Sequence, residues 1–331
     1  MAKRSRLTRI LYGLAVLIIA GAIAFFMGPR TPVSTEISFD AATIGEDVEA
    51  YLSEAEARFD DIRDGLNKHI VWAYPNSRAK TPLAIVYVHG FSASAGEIKP
   101  VMDIVAKDVG ANLFYTRLKG HGRTGDAMAE ATVAGWVDDI AEAIAVGRRI
   151  GEKVVLVGTS TGGTLITWAA TQPDLSKDVV GIVNISPNFG PQAAGSQLLT
   201  IPWARQIVRL VEGERRSFEP KNDLVRQNWT HEYPSEAVLP MAELVKLTNE
   251  ADFGKITIPA LFVFSEKDQV VRPERTKVVE KRWGADSEVV LIEGDEDENH
   301  HVLAGNATSP STTQQTANII TRWIQQLPGG S

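Results

Sequence analysis

An α/β architecture, with a mostly parallel sheet covered by helices on both faces, is predicted for the chain beyond residue 68. Three observations predict it. Short runs rich in Val and Ile recur from residue 69 onward, each is bounded by Gly, Pro or polar residues, and stretches of helical periodicity separate them. Continuous apolar runs suit strands buried on both faces, and strands alternating with helices give parallel order.

The composition supports a full core: 331 residues, 44% hydrophobic and 23% charged. Formal net charge is -7, but Lys3, Arg4, Arg6, Arg9 and Arg30 fall in the first thirty positions, which hold no acid. The remainder therefore carries 29 basic against 41 acidic residues, a charge of -12. Such an acidic body argues against nucleic acid as a partner. The absence of cysteine excludes disulfides, a thiol nucleophile, Cys-ligated metal and a lipoprotein anchor.

The first element is the uncharged stretch "ILYGLAVLIIAGAIAFFM", Ile10 to Met27. As a helix it is about 27 Å long, close to the thickness of a bilayer's hydrocarbon core. Four basic residues precede it and only Arg30 follows closely, so the positive-inside rule places the amino terminus in the cytoplasm and the body outside. In a bacterium that is the periplasm. A cleaved signal peptide, giving a secreted protein, is the alternative, with Ala20-Gly21-Ala22 and Ala22-Ile23-Ala24 at cleavage spacing. The apolar run through Phe25, Phe26 and Met27 favours an uncleaved anchor.

After a Pro/Thr/Ser linker, Thr43 and Glu46 stand in capping-box spacing. Ile44, Val48, Tyr51, Leu52, Ala55, Phe59, Ile62 and Leu66 then recur at helical spacing, which predicts one amphipathic helix docked on the body. Seven strands follow: "IVWAY" (70–74), "LAIVYV" (83–88), "NLFYTRL" (112–118), "KVVLV" (153–157), "VVGIVNI" (179–185), "ALFVF" (260–264) and "EVVLIE" (288–293). Between the fifth and sixth, from Asn188 to about Ala251, no strand is evident, and helices are expected at Ile201 to Gly213 and Pro234 to Leu247. An insertion there sits above the carboxyl ends of the sheet, where a cap covers a pocket. Five segments result: a membrane segment (1–30), a linker and docking helix (31–68), the first part of the core (69–188), a helical cap (189–251) and the second part of the core (252–331).

The motif that carries chemistry is Gly158-Thr159-Ser160-Thr161-Gly162, a G-x-S-x-G between a strand and the helix "TGGTLITWAATQP". A sharp strand-to-helix turn projects the serine hydroxyl at the top of the sheet, and glycines on either side let the chain close. The free amides of the helix start, that of Thr161 above all, face a developing oxyanion there. A serine needs a base, and six histidines are present: His69, His89, His121, His231, His300 and His301.

With "VYVHGFSAS" (86–94), "RLKGHGRT" (117–124), "GTSTGG" (158–163), "FSEKDQVV" (264–271) and "NHHVLAG" (299–305), residues 65 to 325 resemble the α/β-hydrolase superfamily. The resemblance is nearest to carboxylesterases and monoacylglycerol lipases. It implies an α/β-hydrolase fold with nucleophile, acid and histidine in that chain order. Ser160 is then the nucleophile, Asp268 the acid, with Glu266 its neighbour and competitor, and His301 the base, with His300 the alternative. Phe91, the residue after "HG", supplies the second oxyanion amide. His89 and His121 are read as structural, and Asp295 to Glu298 as a solvated acidic loop that binds a cation weakly at most.

The activity implied is hydrolysis of carboxylic esters through an acyl-enzyme, with no cofactor and no metal. Cap residues Leu198, Leu199, Ile201, Trp203, Ile207, Trp229, Tyr233 and Met241 either line an acyl pocket or pack the cap. Together with a membrane anchor, the first reading points to monoacylglycerols or lysophospholipids as partners. An acyltransferase using the same acyl-enzyme, and a catalytically silent membrane-anchored binding protein, are the alternatives.

Overall fold

The computed structural model describes residues 2–328. The chain begins with α1 (Ala2–Phe26) and continues through α2 (Val48–Glu56), β1 (His69–Val71), β2 (Thr81–Val88), α3 (Val101–Val109), β3 (Asn112–Tyr115), α4 (Val133–Ile150), β4 (Gly151–Thr159), α5 (Thr161–Ala170), α6 (Pro173–Ser176) and β5 (Val179–Ile185). An insertion then holds α7 (Ala204–Glu212), β6 (Arg215–Ser217), α8 (Asp223–Asn228), β7 (Glu232–Pro234) and α9 (Val238–Glu250). The chain ends with β8 (Ala260–Phe264), α10 (Pro273–Lys281), β9 (Ser287–Leu291) and α11 (Thr313–Ile324).

All seven strands expected from the sequence pair in one sheet, in the order β1-β3-β2-β4-β5-β8-β9. Only β1 is antiparallel, on β3. Alternation along each strand feeds two cores. Ala84, Val86 and Val88 of β2 pack with Val154 and Leu156 of β4 against α4 and α5, while Leu83, Ile85 and Tyr87 pack with Val155 and Val157 on the other face, against α3 and α11. Because both faces of the central strands are buried, those strands read as unbroken apolar runs, while the edge strands β1 and β9 are only partly covered.

Two expectations are corrected. The amphipathic helix from Thr43 to Leu66 is not continuous: a 3-10 turn over Ala41–Ile44 ends at Gly45, whose φ of 65° reverses the chain. Thr43 does not cap the helix. Asp47 does, accepting from the amides of Glu49 and Ala50 at 3.0 Å. The helix stops at Glu56 because that carboxylate is pulled inward. It forms a fork with buried Arg117, at 2.9 Å to Nε and 2.7 Å to the terminal nitrogen. Phe59 leaves the helix to lie under the guanidinium groups of Arg117 and Arg123, at 4.9 and 4.5 Å from the ring centre.

The second correction is in the insertion, which was expected to be mainly helical, with no strand evident. It contains a short antiparallel ribbon, β6 on β7, in addition to its helices. The three-residue strands "RRS" and "EYP" are too short to show alternation. An exposed ion pair of Arg215 with Glu232, 2.6 Å apart, accompanies their backbone pairing.

Candidate active site

β4 runs into α5 through Ser160, which adopts φ 52° and ψ -116°, a strained conformation for a residue with a side chain. The flanking residues explain why the turn tolerates only glycine. A Cβ on Gly162 would lie 2.0 Å from the Val88 carbonyl oxygen, and one on Gly158 2.6 Å from the Gly162 backbone. The strain is held by backbone bonds from both sides: the Ser160 amide donates to Ile185, and its carbonyl accepts from Asn188, each at 3.0 Å. Thr161 opens α5, so its amide is one of the helix's free donors.

Asp268 follows β8 and is 3% exposed. Its Oδ1 accepts the amides of Val270 and Val271, at 2.8 and 2.9 Å, which closes the turn. Its Oδ2 lies 2.8 Å from Nδ1 of His301. An ionised carboxylate only accepts, so the imidazole proton sits on Nδ1 and Nε2 keeps its lone pair. Burial alone would lower the His301 pKa. The bond and charge of Asp268, reinforced by Asp297 and Glu97, raise it instead.

The competitors lie elsewhere. Glu266 is exposed and pairs with Lys277. His300, at φ 51°, turns its Nδ1 to Asp295 at 3.1 Å.

The loop after β2 places Phe91. The Gly90 carbonyl accepts from Nδ1 of His89 at 2.9 Å and from the Ala93 amide at 3.2 Å. Nε2 of His89 accepts the Leu118 amide, and Nε2 of His121 accepts the Ser92 amide, each at 3.0 Å. Those bonds require both imidazoles to be neutral. Burial enforces it, lowering His89 to about 4 and His121 well below the ordinary imidazole value. Both histidines therefore act as wedges that shape the loop.

Sequence reasoning missed Glu97. Its side chain is fully buried, and Oε1 accepts the Gly90 amide at 2.6 Å and the Tyr87 hydroxyl at 2.8 Å. Tyr87 in turn bonds the hydroxyl of Thr159 at 2.8 Å, so one carboxyl ties the loop of Phe91 to the residue before Ser160. Burial pushes its pKa up to about 7, against the Gly90 and Tyr87 bonds. No local signal marks Glu97, because its burial depends on β2 and β4 being neighbours. The acidic run was also misread. Asp295 and Asp297 are buried and Glu296 and Glu298 exposed, and Asp297 accepts the His301 and Val302 amides at 3.0 and 3.1 Å. Burial works against that charge, but the two amides hold its pKa below the ordinary value.

A cavity of about 400 Å³ collects these groups: Ser160, Thr161, Phe91 and His301 line it. Of the cap residues singled out from the sequence, Leu199, Trp229, Tyr233 and Met241 line it as well, whereas Leu198, Ile201, Trp203 and Ile207 do not. Among the described residues no cluster of His, Asp and Glu could hold a metal ion.

A sequence profile described as Hydrolase_4, serine aminopeptidase S33, matches residues 79–296, which include Phe91, Ser160 and Asp268. The chain belongs to the Hydrolase_4 family. A thermostable monoacylglycerol lipase of Bacillus sp. (strain H-257) is 27% identical over 200 residues, 60% of this chain and 75% of that one. Among solved structures, a metagenome-derived lipolytic enzyme superimposes with a TM-score of 0.65 at 19% identity, covering 80% of this chain and 99% of its own. A soluble variant of Saccharomyces cerevisiae monoglyceride lipase, bound to a substrate analogue, gives a TM-score of 0.60 at 14% identity over 78% of this chain and 92% of its own. This Hydrolase_4 chain has the α/β-hydrolase fold, with β1 as its antiparallel edge.

Proposed function

We propose that the protein is a serine hydrolase of carboxylic esters, with Ser160 as nucleophile, His301 as base and Asp268 as the carboxylate that orients it. The observation that carries the reading is the 2.8 Å bond from His301 to Asp268, with His301 and the strained Ser160 lining one cavity. His301 Nε2 takes the hydroxyl proton as Ser160 Oγ attacks the ester carbonyl. The amides of Phe91 and Thr161 stabilise the oxyanion. The proton passes to the leaving alcohol, and water enters by the reverse route to release the acid.

We further propose a single-chain lipid ester, a monoacylglycerol or lysophospholipid, as substrate. Leu199, Val225, Trp229, Val238 and Met241 offer an apolar lining for an acyl chain, and Lys221, Asp297 and Asn299 a polar one for the head group. An aminopeptidase would need a free carboxylate for the substrate's ammonium group. Of the carboxylates lining this cavity, Asp297 is engaged with two amides and Lys221, whereas Glu219 lies in solvent at the rim. The cap over residues 189–251 would set chain length. α1 would anchor the enzyme in the membrane with its body outside the cytoplasm, because its segment Leu7–Phe26 is strongly apolar and has no part buried in the protein.

Fluorophosphonate labelling tests the site. Wild type should label and Ser160→Ala should not; labelling that survives Ser160→Ala would remove Ser160 from the mechanism. Hydrolysis of monoacylglycerols against acetyl esters tests the substrate class, and an enzyme active only on acetyl esters would refute the lipid reading.

A further inference from the structure

Helix α7 carries apolar residues on two faces. Ala204 and Val208 face inward and pack with Tyr233, Val238 and Met128. Trp203, Ile207, Leu210 and Val211 recur at the spacing of one helical stripe, yet Leu210 is 87% exposed, Val211 71% and Trp203 38%. Among the described residues nothing buries Leu210 and Val211, while Ile207 is half-buried. On the remaining face Arg209 pairs with Glu236 at 2.6 Å.

What covers the stripe is indicated by its first residue. The Trp203 indole Nε1 donates to the carbonyls of Ala24 and Phe25, at 3.3 and 3.2 Å, and the Trp203 amide donates to Pro29 at 2.8 Å. The Ala24 and Phe25 carbonyls belong to the last turn of α1; that of Phe25 also accepts the Gly28 amide at 3.1 Å. The contact is close enough that a Cβ on Gly28 would lie 2.0 Å from the indole nitrogen. Trp203 itself sits at φ 67°, a conformation rare for a bulky residue, held where the anchor leaves its apolar stretch. Tryptophan at that level is typical of the membrane interface.

The exposed apolar surface continues past α7. Leu198 is 43% exposed, and Phe218, which lines the catalytic cavity, is 41% exposed. Residues 198–226 also hold six basic and four acidic side chains, in a body that is otherwise acidic.

We propose that α7 is an interfacial helix: it lies in the surface of the bilayer that α1 spans, with Ile207, Leu210 and Val211 in contact with lipid. Fastened to the anchor through Trp203, the cap then presents the Phe218 rim of the cavity to the membrane, where a single-chain lipid ester enters without crossing water. The inference rests on the reading of α1 as a membrane anchor.

The chain has no cysteine, so single nitroxide labels can be introduced without background. In the full chain, reconstituted in vesicles of phosphatidylcholine with a minority of phosphatidylglycerol, a label at Leu210→Cys or Val211→Cys should collide more with oxygen and less with a soluble nickel chelate than one at Lys255→Cys. Equal nickel access at 210, 211 and 255 overturns the proposal. Dipolar broadening at 210 that disappears on dilution with unlabelled protein overturns it too, because a second copy then covers the stripe. Leu14→Cys separates the two readings. Lipid exposure at 14 with water at 210 refutes the interfacial helix alone, whereas water at 14 refutes the anchor and the inference together. As a functional arm, the double change Leu210→Asp with Val211→Asp removes two large apolar contacts and should slow hydrolysis of vesicle-borne monoacylglycerol by about tenfold or more. Its kcat/KM on a soluble butyrate ester should stay within about twofold of wild type; an equal loss on both substrates would count against the proposal.

Discussion

Asp268 divides its oxygens between two tasks, one closing its own turn and one holding His301. In the proposed mechanism only His301 of the histidine pair can serve as base, because His300 is turned to Asp295. His301→Ala should therefore lower kcat by roughly 10⁴ or more, and His300→Ala by less than about tenfold, in steady-state ester hydrolysis. The raised pKa of His301 gives a pH dependence with a definite sign. The base works when neutral, so kcat/KM falls as pH drops through that raised value. Asp297 is ionised there, and Asp297→Asn keeps an oxygen for the His301 and Val302 amides while removing a negative charge. Its pH profile should have the acid limb displaced to lower pH; a limb that stays put would remove Asp297 from the electrostatics of the site. Glu97 makes a second residue-level prediction. Glu97→Gln retains an acceptor for the Gly90 amide and should keep kcat within about tenfold, whereas Glu97→Ala frees the Phe91 loop and should cost about 10² in kcat.

At the scale of elements, the turn between β4 and α5 and the docking of α2 are the two joints the site depends on. Gly162→Ala pushes a methyl group against the Val88 and His89 carbonyls, backbone atoms of β2 and its loop that have no room to retreat. A loss of about 3 kcal/mol in urea unfolding is expected, together with loss of activity. The α2 joint is an ion pair, Arg117 with Glu56, whose side chains are 4% and 6% exposed. Glu56→Ala leaves a buried guanidinium without its carboxylate and should cost about 3–5 kcal/mol. The exposed Arg58–Glu54 pair, by contrast, contributes at most about 0.5 kcal/mol, so Glu54→Ala should leave the urea midpoint nearly unchanged. The periodicity from Thr43 to Leu66 was compatible with one helix, but its end was decided by this distant arginine.

For the whole molecule, the buried titrating groups of the site oppose one another. His89 and His121 have folded pKa values below the ordinary imidazole value, so their contribution is present above about pH 6.5 and is lost as pH falls. Glu97 and His301 have raised folded values, so they bind protons more tightly when folded and stabilise as pH falls. Between about pH 6.5 and 4.5 the two histidines lose stability while Glu97 gains it; the gain from His301 is complete by about pH 6.5. Glu56 and Asp297 are lowered despite burial, so the stability they contribute is present above the ordinary carboxylate values and is lost as pH falls below them. Glu97→Gln removes the gain from Glu97, so its urea midpoint should fall more steeply than that of wild type between about pH 7 and 4.5; parallel profiles would show that Glu97 does not titrate in that range.

The sequence by itself determined the sheet, the strand-to-helix turn at Ser160 and the apolar first helix. Strands buried on both faces must be apolar throughout, glycines on either side of a serine at a strand end mark a turn too tight for side chains, and an uncharged stretch of membrane length needs no tertiary context to be legible. The tertiary structure alone decided what depends on distant neighbours. Which histidine meets Asp268, where α2 ends, how β6 and β7 pair, and that Glu97 and Asp297 are buried all follow from contacts between segments far apart in the chain. Periodicity records only whether a side chain prefers water. It does not record which partner, brought alongside by the fold, will stabilise a charge that has left it.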